Sequence, residues 1–256
     1  MNKKFYKLEC ITNLFVGSSE VNYNVVDNQV EKDATNGLPI IHASGVKGAL
    51  REKLISDDVS KADIVKIFGD EGDSGKTVPG SHKFFDAILI TRPMRVYGDD
   101  NMSSINVATV ESINNFITMI NTLQPGKYDI KPIGPIDFGG NRFLTNVDGN
   151  IKVEFDQTGK LSDDIASELK KISGIIGDKF AIAATFDDYD LPVVARNHLV
   201  NKISKNLWYE EVVPHGSVFF FVVVAPDDCD FIKIPEIVQF GGNSTLGCGF
   251  SRVTEL

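Results

Sequence analysis

A fold mixing helices with strands is predicted by two kinds of segment that alternate along the chain. Stretches 4–16, 82–91, 217–225 and 250–253 are apolar or roughly alternating, and short enough for strands. Stretches beginning near Ser44, Ser60 and Ser162 set a capping residue ahead of apolar residues at helical spacing. With 42% hydrophobic and 24% charged residues over 256 positions, the chain has the balance of an ordinary globular protein. That length can bury a full core as one elaborated domain or as two small ones.

The first strand is expected to turn Phe5, Leu8, Cys10 and Ile11 inward and to end at Gly17-Ser18-Ser19. Residues 20–36 are polar, with Val25-Val26 as their apolar pair, and read as a surface loop that carries Asp27. The stretch 37–51, GLPIIHASGVKGALR, leaves an Asn36-Gly37 turn and enters a helix with Ser44 as N-cap and Val46, Leu50 and Leu54 on its buried face. A helix start points free N–H groups and the positive end of its dipole outward, which attracts phosphate. Gly45 and Gly48 leave room for a phosphate backbone, and Lys47 and Arg51, four apart, share one face. On these residues alone, a capped helix with a solvated basic face explains the stretch without any ligand.

A second helix spans 60–69, with Ser60 as cap, Asp63 three residues on and Gly69 as terminator. Gly75-Lys76-Thr77 in the acidic 69–81 loop is a poor phosphate loop, because Gly69 lies one residue too far back and three acidic residues intervene. After the 82–91 strand, Arg95 is open to two readings, a clamp on phosphate or a partner for a carboxylate. Val107, Val110, Ile113, Ile117 and Ile120 predict one core-facing helix over 105–123. Residues 125–160, rich in turn formers and including the strand-like IKVEF, suggest a hairpin-rich excursion. A helix over 161–175 follows, with Ile165, Leu169 and Ile172 as its stripe. Trp208 is assigned to the core, and Glu210 and Glu211 to a solvated strand face. Gly241-Gly242-Asn243 and Gly247-Cys248-Gly249 form a late glycine-rich turn, where successive N–H groups can converge on phosphate.

A net charge of −9 argues against a stand-alone nucleic-acid binder, although a local basic stripe is compatible with it. Three cysteines without ligand spacing fit a reducing compartment, and four scattered histidines suggest no zinc site. No apolar run reaches the length of a membrane span, and the basic start lacks the apolar region of a secretion signal.

The wording of 27–33 and 35–52 resembles the signature of the RAMP superfamily in CRISPR effector complexes, and most closely that of the repeated backbone subunit of type III-B (Cmr) complexes. Phe68-Gly69, Phe85-Asp86-Ala87, the 92–98 run with Arg95, Ala195–Leu199, the LWYEE segment from Leu207 and the late glycine turn extend the likeness over nearly the whole chain. Ala43, Val46 and Cys248 are departures, and Phe15 stands where the family commonly has a histidine.

The resemblance implies an α+β fold on a ferredoxin-like, RRM-related core forming a single domain over 1–256. It further implies elaborations at 92–160 and a thumb-like hairpin at 186–215 whose projecting turn lies at 200–205. It implies a cytoplasmic endoribonuclease dependent on a divalent metal ion, Mg2+ or Mn2+, with Asp27 both catalytic and metal-binding. Its implied partners are CRISPR guide RNA, complementary target RNA, further copies of itself in a filament and other type III effector subunits, with no membrane. RNA contacts are expected from Ser44, Gly45, Lys47, Gly48, Arg51, Arg95, Arg196, Lys202, Lys205, Gly241, Gly242, Asn243, Gly247 and Gly249. A non-catalytic guide-binding scaffold, which Phe15 favours, and the equivalent type III-A subunit are the alternatives. A guide-processing nuclease is disfavoured, since the loop around Asp27 offers no histidine for general acid–base chemistry.

Overall fold

The computed structural model describes residues 1–18, 25–70, 77–99, 101–186 and 191–256. Part of the 20–36 loop, the middle of the acidic loop with Gly75 and Lys76, and Asp187 and Asp188 lie outside the described residues. The chain begins with β1 (Asn2–Cys10), β2 (Ile40–Ile41), α1 (Ala43–Ser56), α2 (Lys61–Phe68), β3 (Gly69–Asp70), β4 (Val78–Pro79) and β5 (Lys83–Phe84). Its middle supplies β6 (Ala87–Tyr97), β7 (Ser104–Thr109), α3 (Val110–Leu123), β8 (Phe143–Thr145), β9 (Lys152–Val153), β10 (Asp156–Lys160), α4 (Asp163–Lys170), α5 (Ser173–Ile176) and β11 (Phe180–Ala183). The last part adds β12 (Val193–Val200), β13 (Ile203–Glu211), β14 (Val218–Ala225), β15 (Ile237–Gln239) and β16 (Phe250–Glu255).

Within the span expected to form a single elaborated domain, the chain clusters into two compact units. The first comprises Met1–Ala87, Leu191–His215 and Phe220–Leu256. Its sheet runs β15–β16–β1–β14, with β5 added on β14. The termini meet here, because β1 and β16 pair antiparallel from Tyr6↔Glu255 to Cys10↔Ser251. Helix α1 packs against α2, β5 and β15. The core is aromatic: Phe5 stacks on Phe220, Tyr6 on Phe221, and Phe68 on Phe84 at 5.2 Å. Phe5, Leu8 and Cys10 point inward as expected. Ile11 does not, because the strand stops at Cys10 and the Ile11 and Thr12 N–H groups both turn to Phe250 O.

Two capping expectations have different outcomes. Ser60 caps α2 by accepting from Asp63 N–H at 3.1 Å, and Gly69, with φ +83°, ends that helix. Helix α1 instead starts two residues early: His42 is its N-cap and Ser44 lies inside the first turn. The reason is Asp86, whose carboxylate accepts the Ala43 N–H at 2.6 Å and so caps the helix from another segment. The same turn breaks the expected 82–91 strand in two, since Phe85 and Asp86 separate β5 from β6.

The second unit comprises Ile88–Asp190 and Gly216–Phe219. Its strands run β6–β7–β11–β8–β10–β9, and β9 returns to β6 through Val96↔Val153 and Tyr97↔Lys152. The path thus closes on itself around a core that includes Met94, Val107, Phe143, Val153 and Ala183. Closure leaves no long free edge to aggregate. The helix expected over 105–123 begins only at Val110, and Val107 belongs to strand β7. A capping box decides the boundary: Thr109 Oγ1 accepts from Ser112 N–H and Ser112 Oγ from Thr109 N–H. Ile113, Ile117 and Ile120 then form the buried stripe. The helix expected over 161–175 is likewise two pieces, α4 and α5, because Lys171 N–H bonds back to Glu168 O and tightens the last turn.

Candidate functional site

Asp27 lies beside the base of the β12–β13 hairpin, and its place is set by backbone bonds. The N–H groups of Asp27 and Asn28 both donate to Tyr209 O, at 3.0 and 3.1 Å, and the Tyr209 N–H donates back to Asp27 Oδ2 at 2.8 Å. The side chain is exposed, and its Oδ1 has no hydrogen-bond partner among the described residues. One carboxylate oxygen is therefore anchored and the other faces outward.

Next to it, Glu210 and Glu211 correct the reading of a solvated strand face. They are only 5% and 4% exposed. Glu210 accepts from Trp208 Nε1 (2.9 Å), Arg196 Nε (3.0 Å), Asn243 Nδ2 (3.0 Å) and Asn28 Nδ2 (3.3 Å). Burial pushes its carboxyl upward, but the bonds from Trp208 and Arg196 outweigh this and hold it below the ordinary glutamate value. Glu211 accepts from Val30 N–H at 3.1 Å and from Lys32 Nζ at 3.4 Å. Trp208 is half-buried rather than a core residue, because its indole N–H serves Glu210. Two adjacent acids between Trp208 and Val212, with Arg196 on the opposing strand, were the available signal for this network.

Glu210 joins Asn28 to the late glycine turn through Asn243. In that turn Gly241 and Gly249 have φ of +77° and +83°, and a Cβ would meet Phe15 O at 2.3 Å and Phe240 O at 1.8 Å. Glycine is required there by close backbone packing. The expected convergence of N–H groups on phosphate is not what these glycines provide. Gly242 donates to Phe15 O, Gly247 to Ser244 O and Gly249 to Asn13 O. Arg196 is also committed inward, to Glu210 and, at 3.9 Å, to Cys248 Sγ.

The α1 surface is more open. Ser44, Gly45 and Gly48 are exposed, a Cβ on Gly48 would meet nothing within 4 Å, and Lys47 has no ion-pair partner among the described residues. Arg51 lies 4.0 Å from Asp70. The helix end itself is taken by Asp86, with His42 between Asp86 (3.8 Å) and Glu31 (3.3 Å). Because α1 packs on β15, which leads into the glycine turn, the two expected guide-binding pieces belong to one neighbourhood.

Among the described strands β12 and β13 form a two-stranded sheet of their own, tied to the Asp27–Asn28 segment by a bridge at Glu210. Leu199, Val200, Ile203 and Leu207 are exposed along them, and the turn is Asn201-Lys202, both in the left-handed region. Lys202 and Lys205 are exposed at this end, where the projecting turn is expected.

The RAMP superfamily profile matches residues 7–252. This chain belongs to the RAMP superfamily. The CRISPR system Cmr endoribonuclease Cmr4 of Pyrococcus furiosus is 26% identical to this RAMP chain over 273 residues, covering 90% of it and 88% of the relative. The fold matches that of a chain in the Type III-B Cmr-beta complex bound to cognate target RNA, with a TM-score of 0.75 at 21% identity over 100% of this chain and 97% of that one. Oligomeric Cmr4 from Pyrococcus furiosus gives a TM-score of 0.72 at 19% identity over 100% and 98%.

Among the positions expected from the RAMP resemblance, Arg95 takes the carboxylate partner. Its Nε and Nη2 donate to Glu154 Oε2 at 3.2 and 2.9 Å. Phe15, in place of the family histidine, lies under the glycine turn, where its ring limits Gly17 and Gly242. Among the described residues, the outward oxygen of Asp27 is what this place offers a divalent cation. Glu210 and Glu211 are already satisfied, and no group of three ligating side chains occurs among the described residues. Nor is any described helix long and apolar enough to cross a membrane.

Proposed function

We propose that this chain is a backbone subunit of a cytoplasmic type III-B CRISPR effector, which lies along guide RNA and cuts paired target RNA beside Asp27. The observation that carries this reading is the anchored carboxylate: Asp27 Oδ2 is held by the Tyr209 N–H at 2.8 Å at the foot of an exposed hairpin. In this reading the first unit supplies the ferredoxin-like core and β12–β13 the thumb, whose apolar side chains wedge between stacked bases. Guide phosphates run over Gly45, Lys47 and Gly48, with Lys202 and Lys205 reaching the duplex from the hairpin. Copies of the chain repeat along the strand beside other effector subunits.

A nucleotide flipped out beside Asp27 brings its 2′-OH into line with the next phosphorus, and positioning of this kind supplies much of such a rate. Asp27 Oδ1 accepts the hydrogen bond from that hydroxyl and orients its oxygen. As the 2′-oxygen attacks phosphorus its proton passes to Asp27 Oδ1, and the bond to the 5′-oxygen breaks while that oxygen takes a proton from water, leaving a 2′,3′-cyclic phosphate and a 5′-OH. Among the described residues Asp27 is the uncommitted carboxylate at that place, and a divalent cation held there would supply charge stabilisation at the phosphate. In the assembled complex Asp27→Ala abolishes target cutting and leaves assembly intact; cutting that persists removes Asp27 from the mechanism.

The second reading, a guide-binding scaffold without chemistry, is favoured by Phe15. Titrating Mg2+ or Mn2+ into the assembled complex separates the two, since a scaffold cleaves target RNA at no metal concentration.

A further inference from the structure

The turn between β9 and β10 consists of Glu154 and Phe155, with φ of +48° and +77°. Two-residue hairpins of this hand ordinarily use Asn-Gly, because side chains beyond Cβ are disfavoured there. Strain at non-glycine residues collects where function holds it. What this turn holds is an aromatic ring in the open. Phe155 is 65% exposed and stacks on Tyr97, with centroids 4.3 Å apart and planes at 22°.

Arg95, two residues before Tyr97 on the same face of β6, is aimed at this ring. Its guanidinium carbon lies 5.9 Å from the Phe155 centroid. Glu154 fixes it from both ends: Oε1 accepts the Arg95 N–H at 2.9 Å, while Oε2 accepts Nε and Nη2. Both side-chain bonds go to a single oxygen, so Nη1 has no partner among the described residues, and the side chain is 67% exposed. Lys152, across from Tyr97, adds a second exposed cation.

From this we infer that Tyr97, Phe155 and Arg95 form a stacking platform for an unpaired nucleobase of single-stranded RNA, on the second unit. An outward aromatic face beside a fixed guanidinium is how single strands are held without sequence preference. Phe155 offers its face to the base, and Nη1 of Arg95 donates to the adjacent phosphate or base edge. A protein partner would ask for a broader apolar surface, whereas Glu154, Asp156 and Lys152 around the ring are polar. The inference rests on the proposed RNA-binding role and assigns part of it to residues 95–155.

The test uses the full chain with an oligouridylate carrying 5-iodouridine, crosslinked by light and mapped by mass spectrometry, beside an abasic strand of equal length in anisotropy titrations. Crosslinks at Phe155 or Tyr97 are expected. Phe155→Gly should bind the oligouridylate roughly tenfold more weakly and the abasic strand unchanged. Its melting temperature should hold or rise, since glycine accepts the left-handed turn, so weaker binding cannot be blamed on misfolding. Phe155→Trp restores binding. Crosslinks confined to other residues, with Phe155→Gly binding as wild type, overturn the platform and leave the RNA reading standing. A strand that neither binds nor crosslinks anywhere on the chain overturns both. Loss of self-association by Phe155→Gly in sedimentation, with RNA binding untouched, makes the ring a protein contact and also overturns the platform.

Discussion

Asp27 and Glu210 do opposite things with the same functional group, and the difference is the number of donors around each. Asp27 accepts one backbone bond and keeps an oxygen outward, whereas Glu210 accepts from four side chains and is buried. A buried carboxylate so satisfied organises its neighbours rather than reacting. Truncating it in Glu210→Ala leaves the Arg196 guanidinium half-enclosed and unpaired, a loss of about 3 kcal/mol, which chemical denaturation would measure. The pH dependence follows from the same bonds. Because the folded-state carboxyl titrates below its ordinary value, its contribution is complete above the unfolded glutamate range and is lost as pH falls through the folded value. Melting curves from neutral pH into acid should therefore drop less steeply for Glu210→Gln than for wild type; parallel curves would show that Glu210 is not the titrating group. The exposed place of Asp27 was legible as part of a polar loop, while the role proposed for it comes from the family resemblance. Glu210 was not legible, since two adjacent acids on a strand read as solvated until Arg196, Trp208 and Asn243 are brought to one of them.

At the scale of elements, the long stripes were legible and their ends were not. Val218–Ala225 is buried along its whole length, as its unbroken apolar run demands, and Ile113, Ile117 and Ile120 face inward as their spacing requires. Boundaries failed where a distant residue decides them. Ser44 is a good capping residue by type, yet Asp86, 43 positions away, takes the Ala43 N–H and moves the start of α1. This also changes what that helix can offer: its positive end already faces a carboxylate, so the proposed place for a guide phosphate is the Gly45, Lys47 and Gly48 face instead. Replacing Asp86 by Asn keeps an acceptor and removes the charge, so α1 should lose about 0.5–1 kcal/mol of support. Hydrogen exchange at the Ala43 to Val46 amides reads that loss directly, and unchanged protection there would assign the capping to backbone geometry alone. The glycine turn gives the complementary lesson. Its composition pointed to phosphate, whereas its glycines answer the approach of Phe15 O and Phe240 O.

For the whole molecule, charge sets the terms on which it meets RNA. A chain of net charge −9 repels a polyanion at long range, and a cation committed inward, as Arg196 is to Glu210, does little to offset this. Among the described residues the cations assigned to RNA are Lys47, the hairpin lysines Lys202 and Lys205, and Arg95 with Lys152, too few to hold one copy tightly against physiological salt. A strand that seats several copies changes the arithmetic, because each copy after the first meets its segment already held near its neighbour and binds at a raised effective concentration. Affinity should therefore climb far more steeply than in proportion to strand length as room for a second and third copy is added, while a strand with room for one copy binds weakly and releases with modest salt. Gel-shift titrations on single strands lengthened stepwise, each at two salt concentrations, measure this. Equal affinity at every length would mean that a single copy carries the binding, and the few free cations of this acidic chain would then have to be joined by a surface that its charge balance does not reveal.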